Sequence, residues 1–312
     1  MAIYCRSRER YWVVLGGNTL KAFANYHPIV LFSYFLLVVG MTMFYMHPIY
    51  LMISLIFSIL LSLQVNRTSF LSGLKWMVPF FFVAALINPL ISHDGELIIL
   101  YVDNNPITIE AIVYGFAMSI MICSVMFWFG CYNTIMTSDK FLYLFGKISP
   151  SFALIISLTL RLVPRFKHQI HVISHAQKTI GMDVTTGSLL HRIKCGIRII
   201  SILISWALEN AIETADSMKA RGYGMSKRST FSLFTFEKRD GLLLSIMLVL
   251  ACVNVFGSFL GYNDYYFYPT FSEITFHPIS YLLYGSFTLL VAIPVTIELW
   301  EAIKWRSLIS KN

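Results

Sequence analysis

Long charge-free apolar runs dominate the chain, separated by short polar stretches. Six of them, residues 27–45, 46–63, 76–92, 111–131, 241–260 and 278–297, contain no Lys, Arg, Asp or Glu. Each is long enough to cross about 30 Å of hydrocarbon as an α-helix. His27-Pro28, His47-Pro48 and His277-Pro278 stand at the starts of three runs. Proline suits a first helical turn because its missing N–H would have no intrahelical partner there, so these pairs read as helix punctuation. The Phe152–Leu160 run is too short to cross, is followed by Arg161 and Pro164, and reads as interfacial or packed inside.

Between the fourth and fifth runs the pattern changes to helical periodicity with frequent charges. A short helix is expected around Asp139–Lys147, after which Ser149-Pro150-Ser151 resets the direction. A long helix should then run to about Gly181, with Pro164 as a place for a bend. Gly187-Ser188 separates it from a second long helix, about Leu189 to Arg221. The pattern predicts an all-α polytopic membrane protein: a basic N-terminal segment (1–26), four spans (27–137), a cytoplasmic block with a pair of long helices (138–240), two further spans (241–297) and a tail (298–312).

Composition agrees with a bilayer. With 57% hydrophobic and 13% charged residues and a mean hydropathy of +0.68, the 312-residue chain is too apolar for an ordinary soluble domain. With the N-terminus placed inside, all 24 Lys and Arg residues fall in segments assigned to the cytoplasm. The outer loops 93–110 and 261–276 carry only acidic charges: Asp94, Glu96, Asp103, Glu110, Asp264 and Glu273. The positive-inside rule puts both termini in the cytoplasm of a multi-pass protein of the cell membrane. The net charge of +8 is therefore a topological signal, and no nucleic-acid partner is expected. Tyr262, Tyr265, Tyr266, Phe267 and Tyr268 crowd one outer loop, where amphipathic rings suit the headgroup layer. None of the five cysteines lies in an outer loop, so no disulfide framework is implied. The first span serves as the targeting signal, with no cleaved leader expected.

Candidate chemistry is sparse in the spans and concentrated in the central block. The spans offer Asn88, Asn254 and hydroxyls as polar handles, whereas proton- and ion-coupled carriers usually need ionisable groups at membrane depth. On the second long helix, Ala207, Ala211 and Ala215 repeat every four residues and form a seam for close helix packing. Glu209, Glu213 and Asp216 occupy a different, solvated face. His168, His171 and His175 share one face of the first long helix. Helical spacing alone does not supply tetrahedral zinc geometry, so no metal site is assigned. There is no His-Glu-x-x-His, and Gly146-Lys147 is followed by Ile148 and lacks the upstream glycine of a phosphate loop.

The second long helix ends in Glu213-Thr214-Ala215-Asp216-Ser217-Met218-Lys219-Ala220-Arg221-Gly222-Tyr223-Gly224. Gly222 is placed to end it in a left-handed cap. Arg221, in the last turn, can pair bidentately with a carboxylate on another protein. This end, with Ile155-Ile156-Ser157-Leu158-Thr159-Leu160-Arg161-Leu162-Val163-Pro164 and Ala176-Gln177 upstream, resembles the T component, or transmembrane scaffold subunit, of energy-coupling factor importers. The resemblance covers residues 138–224 by motif and centres on Ala220-Arg221-Gly222.

The resemblance implies a non-catalytic subunit that grips two ABC-type ATPases with its coupling helices and holds a substrate-binding membrane S component beside them. ATP and Mg would sit on the ATPases and no cofactor on this chain, in an importer of vitamins or other micronutrients. A self-contained secondary transporter or channel is the alternative. One departure stands out. Where the family's first motif would read Ala-Arg-Gly, this chain has Thr179-Ile180-Gly181. Either Lys178 stands in from two positions earlier, rotated by about 200°, or that contact with the ATPase is apolar.

Gly222→Val should distort the cap, because a β-branched residue is poor at positive φ. The expected outcome is lost assembly or transport; a variant that assembles and supports transport as well as the wild type contradicts the cap.

Overall fold

The computed structural model describes residues 22–65, 67–92, 95–102, 105–225, 234–272 and 277–309. The basic segment before Ala22, the acidic positions Asp94, Asp103 and Glu273, and Lys311 lie outside the described residues. Among the described residues nine α-helices follow in order: α1 Pro28–Phe44, α2 Pro48–Val65, α3 Arg67–Ile91, α4 Ile109–Ile135, α5 Ser138–Ile148, α6 Pro150–Thr179, α7 Leu189–Ala220, α8 Lys238–Phe259 and α9 Pro278–Ile309. They fall into two compact units, Met1–Lys140 with Phe234–Asn312, and Phe141–Leu233. The second unit lies within the expected 138–240 block; Lys140 and residues 234–240 belong to the first.

The first unit is a membrane bundle whose helices start as the His-Pro pairs suggest. His27 Nδ1 accepts from Ile29 N–H at 3.3 Å, and His47 Nδ1 accepts from Ile49 N–H at 3.3 Å. Each ring thus satisfies a donor of the first turn that the helix itself cannot. α1 is enclosed by its neighbours, with Val30, Leu31, Tyr34 and Val38 fully buried. Trp128 of α4 packs edge-on against Tyr34 and Phe35.

Buried hydroxyls join three of these helices at Ser54. Thr42 Oγ1 donates to Val38 O at 2.7 Å, so Ser54 Oγ, 2.9 Å away, donates to Thr42. Ser54 in turn accepts from Ser124 Oγ at 2.7 Å and from Trp128 Nε1 at 3.0 Å. One donor and two acceptor sites exhaust a serine hydroxyl. Toward the other end of α2, Tyr50 Oη lies 3.2 Å from Asn254 Oδ1 and 3.0 Å from Asn263 Oδ1. Asn254 Nδ2 donates to Leu250 O at 2.9 Å and to Ser286 Oγ at 2.8 Å.

Three buried charged side chains hold a short 3-10 turn, Phe23–Asn25, against this bundle. Lys140 Nζ donates to Ala24 O at 2.6 Å and Ile135 O at 3.0 Å. Glu298 accepts from Phe23 N–H at 3.1 Å, and Asp240 accepts from His27 N–H at 3.4 Å. Asp240 also accepts from Glu237 N–H at 3.0 Å, completing a reciprocal capping box at the start of α8. Lys140 and Asp240 flank the second unit in the chain, so the segments on either side of that unit are tied down by buried hydrogen bonds.

The structure departs from the sequence pattern in three places. First, the 93–110 loop contains an antiparallel hairpin, β1 Ile98–Val102 with β2 Asn105–Thr108, in which Leu100 pairs with Ile107 and Tyr101 with Pro106. The β-branched and aromatic run that ends at an Asp-Asn-Asn-Pro turn was the signal for it. Second, several helices outrun their apolar cores: α3 starts at Arg67 and continues through Pro79, and α9 continues to Ile309. Third, among the described residues the six helices long and apolar enough to cross a membrane are α2, α3, α4, α7, α8 and α9, whereas α1, at 17 residues, is shorter. The sequence pattern counts α1 and omits α7. In α7 the charge-free run is only Ile199 to Leu208, between Arg198 and Glu209, and would cover about 15 Å, half the hydrocarbon core.

Ser54→Ala removes the acceptor of Trp128 Nε1–H and leaves that donor buried and unpaired. It should lower stability by about 0.5–2 kcal/mol, measured as a drop in Tm of the detergent-solubilised protein; an unchanged Tm would deny the node an energetic role.

Candidate functional site

The unit Phe141–Leu233 is built on α6 and α7, joined by residues 180–188. Ser149-Pro150 starts α6, and Ser188 caps α7, its hydroxyl accepting from His191 N–H at 3.4 Å. The Ala seam faces α6: Ala207, Ala211 and Ala215 line a cleft of about 210 Å³ with Leu158, Leu162 and Phe166. Small side chains let two helix backbones approach. Beside the cleft, Arg165 donates to Asn210 Oδ1 at 2.9 Å and its guanidinium stands 5.8 Å from the Trp206 ring centre. Phe166 meets Trp206 edge-on at 5.7 Å. This pin was not singled out from the sequence, where Arg165 reads as one of many scattered charges. The 45-residue separation from Asn210 gives no local signal.

Both helices end in the same motif. At α7, Gly222 takes φ +81°, Gly222 N–H donates to Lys219 O at 2.9 Å and Tyr223 N–H to Met218 O at 3.0 Å. At α6, Gly181 takes φ +79°, Gly181 N–H donates to Lys178 O at 3.1 Å and Met182 N–H to Gln177 O at 3.0 Å. These are paired Schellman closures, in which a glycine at positive φ turns the chain back so that two late carbonyls find donors. Arg221 and Ile180 are the cap residues immediately before the two glycines. Ala220 is the last residue of α7 and is exposed.

The equivalence of the two closures sets the residue correspondence. Ile180 sits where Arg221 sits, and Lys178 sits where Lys219 sits, two residues before the cap. Lys178 therefore has its own counterpart at the other end. Its ammonium lies 3.2 Å from Asp183, whereas Lys219 and Asp216, both well exposed, are 4.0 Å apart. Thr185 donates to Asp183 from its backbone N–H at 2.9 Å and from its hydroxyl at 2.8 Å. These bonds first, and the Lys178 charge after them, hold the Asp183 carboxyl down at about 2. Asp183 lies beyond the helix, and its pairing follows from the turn at Gly181, which helical spacing does not encode.

Among the described residues the Arg221 guanidinium has no ion-pair partner, and the side chain is exposed. Ile180 is 72% exposed. Glu209, Glu213 and Asp216 are exposed on α7, and His168, His171 and His175 are exposed on α6. Among the described residues no group of three or more His, Cys, Asp or Glu side chains converges as metal ligands would. The arrangement consists of two helix ends that present cap side chains outward.

A family model described as "Cobalt transport protein", CbiQ, matches residues 25–232 of the chain. Among curated proteins, the chain is similar to the energy-coupling factor transporter transmembrane protein EcfT of Limosilactobacillus fermentum, 30% identical over 100 residues. It is also similar to those of Brevibacillus brevis, 36% identical over 102 residues, and Lactococcus lactis, 31% identical over 106 residues. The matched stretches cover 32 to 34% of this chain and 38 to 40% of the relatives. With two thirds of its length under the family model and six helices long and apolar enough to span a bilayer, the chain belongs to the CbiQ cobalt transport protein family, that of the transmembrane T components of energy-coupling factor transporters.

Proposed function

We propose that the chain is the non-catalytic scaffold of an ATP-driven importer of a vitamin or other micronutrient. It couples closure of two ABC-type ATPases to reorientation of a separate substrate-binding S component. The observation that carries this reading is the pair of matched, outward-facing caps on α6 and α7. Rigid helix ends whose late carbonyls are internally satisfied can press into grooves on other proteins without unwinding. At α7 the cap residue is Arg221, whose planar fork of donors suits a carboxylate on an ATPase. Ala220 leaves room beside it and Gly222 sets the turn. At α6 the corresponding positions are Ile180 and Gly181, with Lys178 two residues before the cap.

The S component finds its support in the apolar surface of the same unit. Phe152 and Ile155 on α6, and Ile193, Ile197, Ile200 and Ile204 on α7, are exposed, and apolar surface on this scale marks a protein or membrane contact. ATP and Mg belong to the ATPases in this reading, since the chain has no phosphate-loop sequence. The distribution of Lys and Arg supports a cell-membrane protein with both termini and the residues 138–240 block in the cytoplasm. Motion of the ATPases would then reach the bilayer through α6 and α7.

A self-contained transporter or channel has less support. Its pathway would need polar atoms open to a solute at membrane depth. Thr42, Ser54 and Ser124 bond to one another instead, Asn254 Nδ2 donates to Leu250 O and Ser286 Oγ, and Asn88 Nδ2 donates to Ala111 O at 2.9 Å and Tyr268 Oη at 3.2 Å.

Arg221→Glu places a carboxylate against the proposed carboxylate partner. Purified from its native membrane beside the wild type, the variant should lose co-eluting ATPase subunits, or keep them with ATP hydrolysis no longer linked to uptake. Equal recovery and equal coupling in both would remove Arg221 from the contact.

A further inference from the structure

The closures of α6 and α7 are the same in hydrogen bonding and in the position of their lysines, and they differ in the one side chain each holds forward. At α7 that side chain is Arg221, with Lys219 behind it and only a 4.0 Å exposed contact to Asp216. Such a pair is screened by solvent and leaves the end cationic. At α6 the forward side chain is Ile180, and the lysine behind it is matched by Asp183 at 3.2 Å. Thr185 donates to Asp183 from its N–H and its hydroxyl, and Lys178 pairs with the same carboxylate, so the lysine behind Ile180 is countered. Gly181 turns the chain immediately after Ile180, and 72% of Ile180 remains exposed. The fold leaves a large aliphatic side chain exposed at a helix end and pairs the lysine behind it with Asp183, while the cations held to the returning chain, Arg198 on Met182 Sδ at 2.7 Å and Arg192 on Val184 O at 2.8 Å, come from α7.

Resting on the coupling reading above, we infer that the end of α6 docks through Ile180 into an apolar groove of its ATPase, and that the ends of α6 and α7 are chemically distinct and not interchangeable. A carboxylate buried against Ile180 would lose water and gain no donor, so the α6 groove is lined by aliphatic or aromatic side chains. Arg221 would be equally out of place there, since a guanidinium buried without a partner is costly. The difference assigns each ATPase position to one helix.

The test compares Ile180→Arg and Ile180→Leu with the wild type, each purified as the full complex from its native membrane. ATPase subunits are quantified by mass spectrometry and ATP-driven uptake is measured. Ile180 is exposed, so neither change disturbs a core, and circular dichroism of the purified chain checks the fold. Ile180→Leu should keep both ATPase subunits and uptake within about twofold of wild type. Ile180→Arg should lose one ATPase subunit from the complex or cut uptake at least tenfold. Ile180→Arg that assembles and transports like the wild type overturns the inference, as does Ile180→Leu that fails as badly as Ile180→Arg. If the wild type itself brings down no ATPase, the coupling reading falls first.

Discussion

A helix that is to push on another protein has to end in a fixed shape, and here that shape depends on one stereochemical constraint. A residue at positive φ must follow the last turn so that two late carbonyls find donors. Gly181 and Gly222 meet it with φ of +79° and +81°. In the proposed coupling reading, what α6 and α7 present follows from where the chain turns: which residue is held forward, which lysine stands behind it, and which acid the returning chain brings back. At α6 the returning chain brings Asp183 to Lys178. At α7 the acid near Lys219 is Asp216, on the same helix and well exposed. Two copies of one backbone device thereby hold forward two different side chains, the aliphatic Ile180 and the cationic Arg221.

The membrane unit solves a complementary problem. Polar atoms at membrane depth are costly unless paired, and the bundle uses them as fasteners. Ser54 joins α1, α2 and α4 with every hydroxyl capacity in use, and Asn254 joins α8 to α9 through Ser286. Charged groups appear at the helix ends near residues 22–27, where Lys140 and Glu298 grip the Phe23–Asn25 turn by its backbone and Asp240 accepts from His27 N–H just after it. Because two of these residues flank Phe141–Leu233 in the chain, the stretches by which that unit joins the bundle are anchored.

Much of this was legible in the sequence, because strong local signals decided it. Apolar runs gave most of the spanning helices, the His-Pro pairs gave three helix starts, and Gly222 gave the cap of α7. The all-α membrane class and the T-component family both followed. The misses have physical causes. The β1–β2 hairpin was read as loop because its strands are short and sit among turn residues. α1 and α7 changed places as candidate spans because length and charge pull in opposite directions: α1 is apolar but short, and α7 is long but carries charges at both ends. The buried roles of Lys140, Asp240 and Glu298, and the Arg165–Asn210 pin, join residues far apart in the chain. No spacing rule reaches across such distances. The position of Ile180 was visible as a departure from a motif, but its equivalence to Arg221, and that of Lys178 to Lys219, needed the backbone of both closures.

The most direct measurement is reconstitution in proteoliposomes of the chain alone, and of the chain with its co-purified ATPases and substrate-binding membrane subunit, with uptake of that subunit's solute followed with and without ATP. A coupling scaffold predicts uptake only in the complete complex and only with ATP inside the reach of the ATPases. Uptake by the chain alone, independent of ATP, would contradict it and return the solute pathway to the six-span bundle itself.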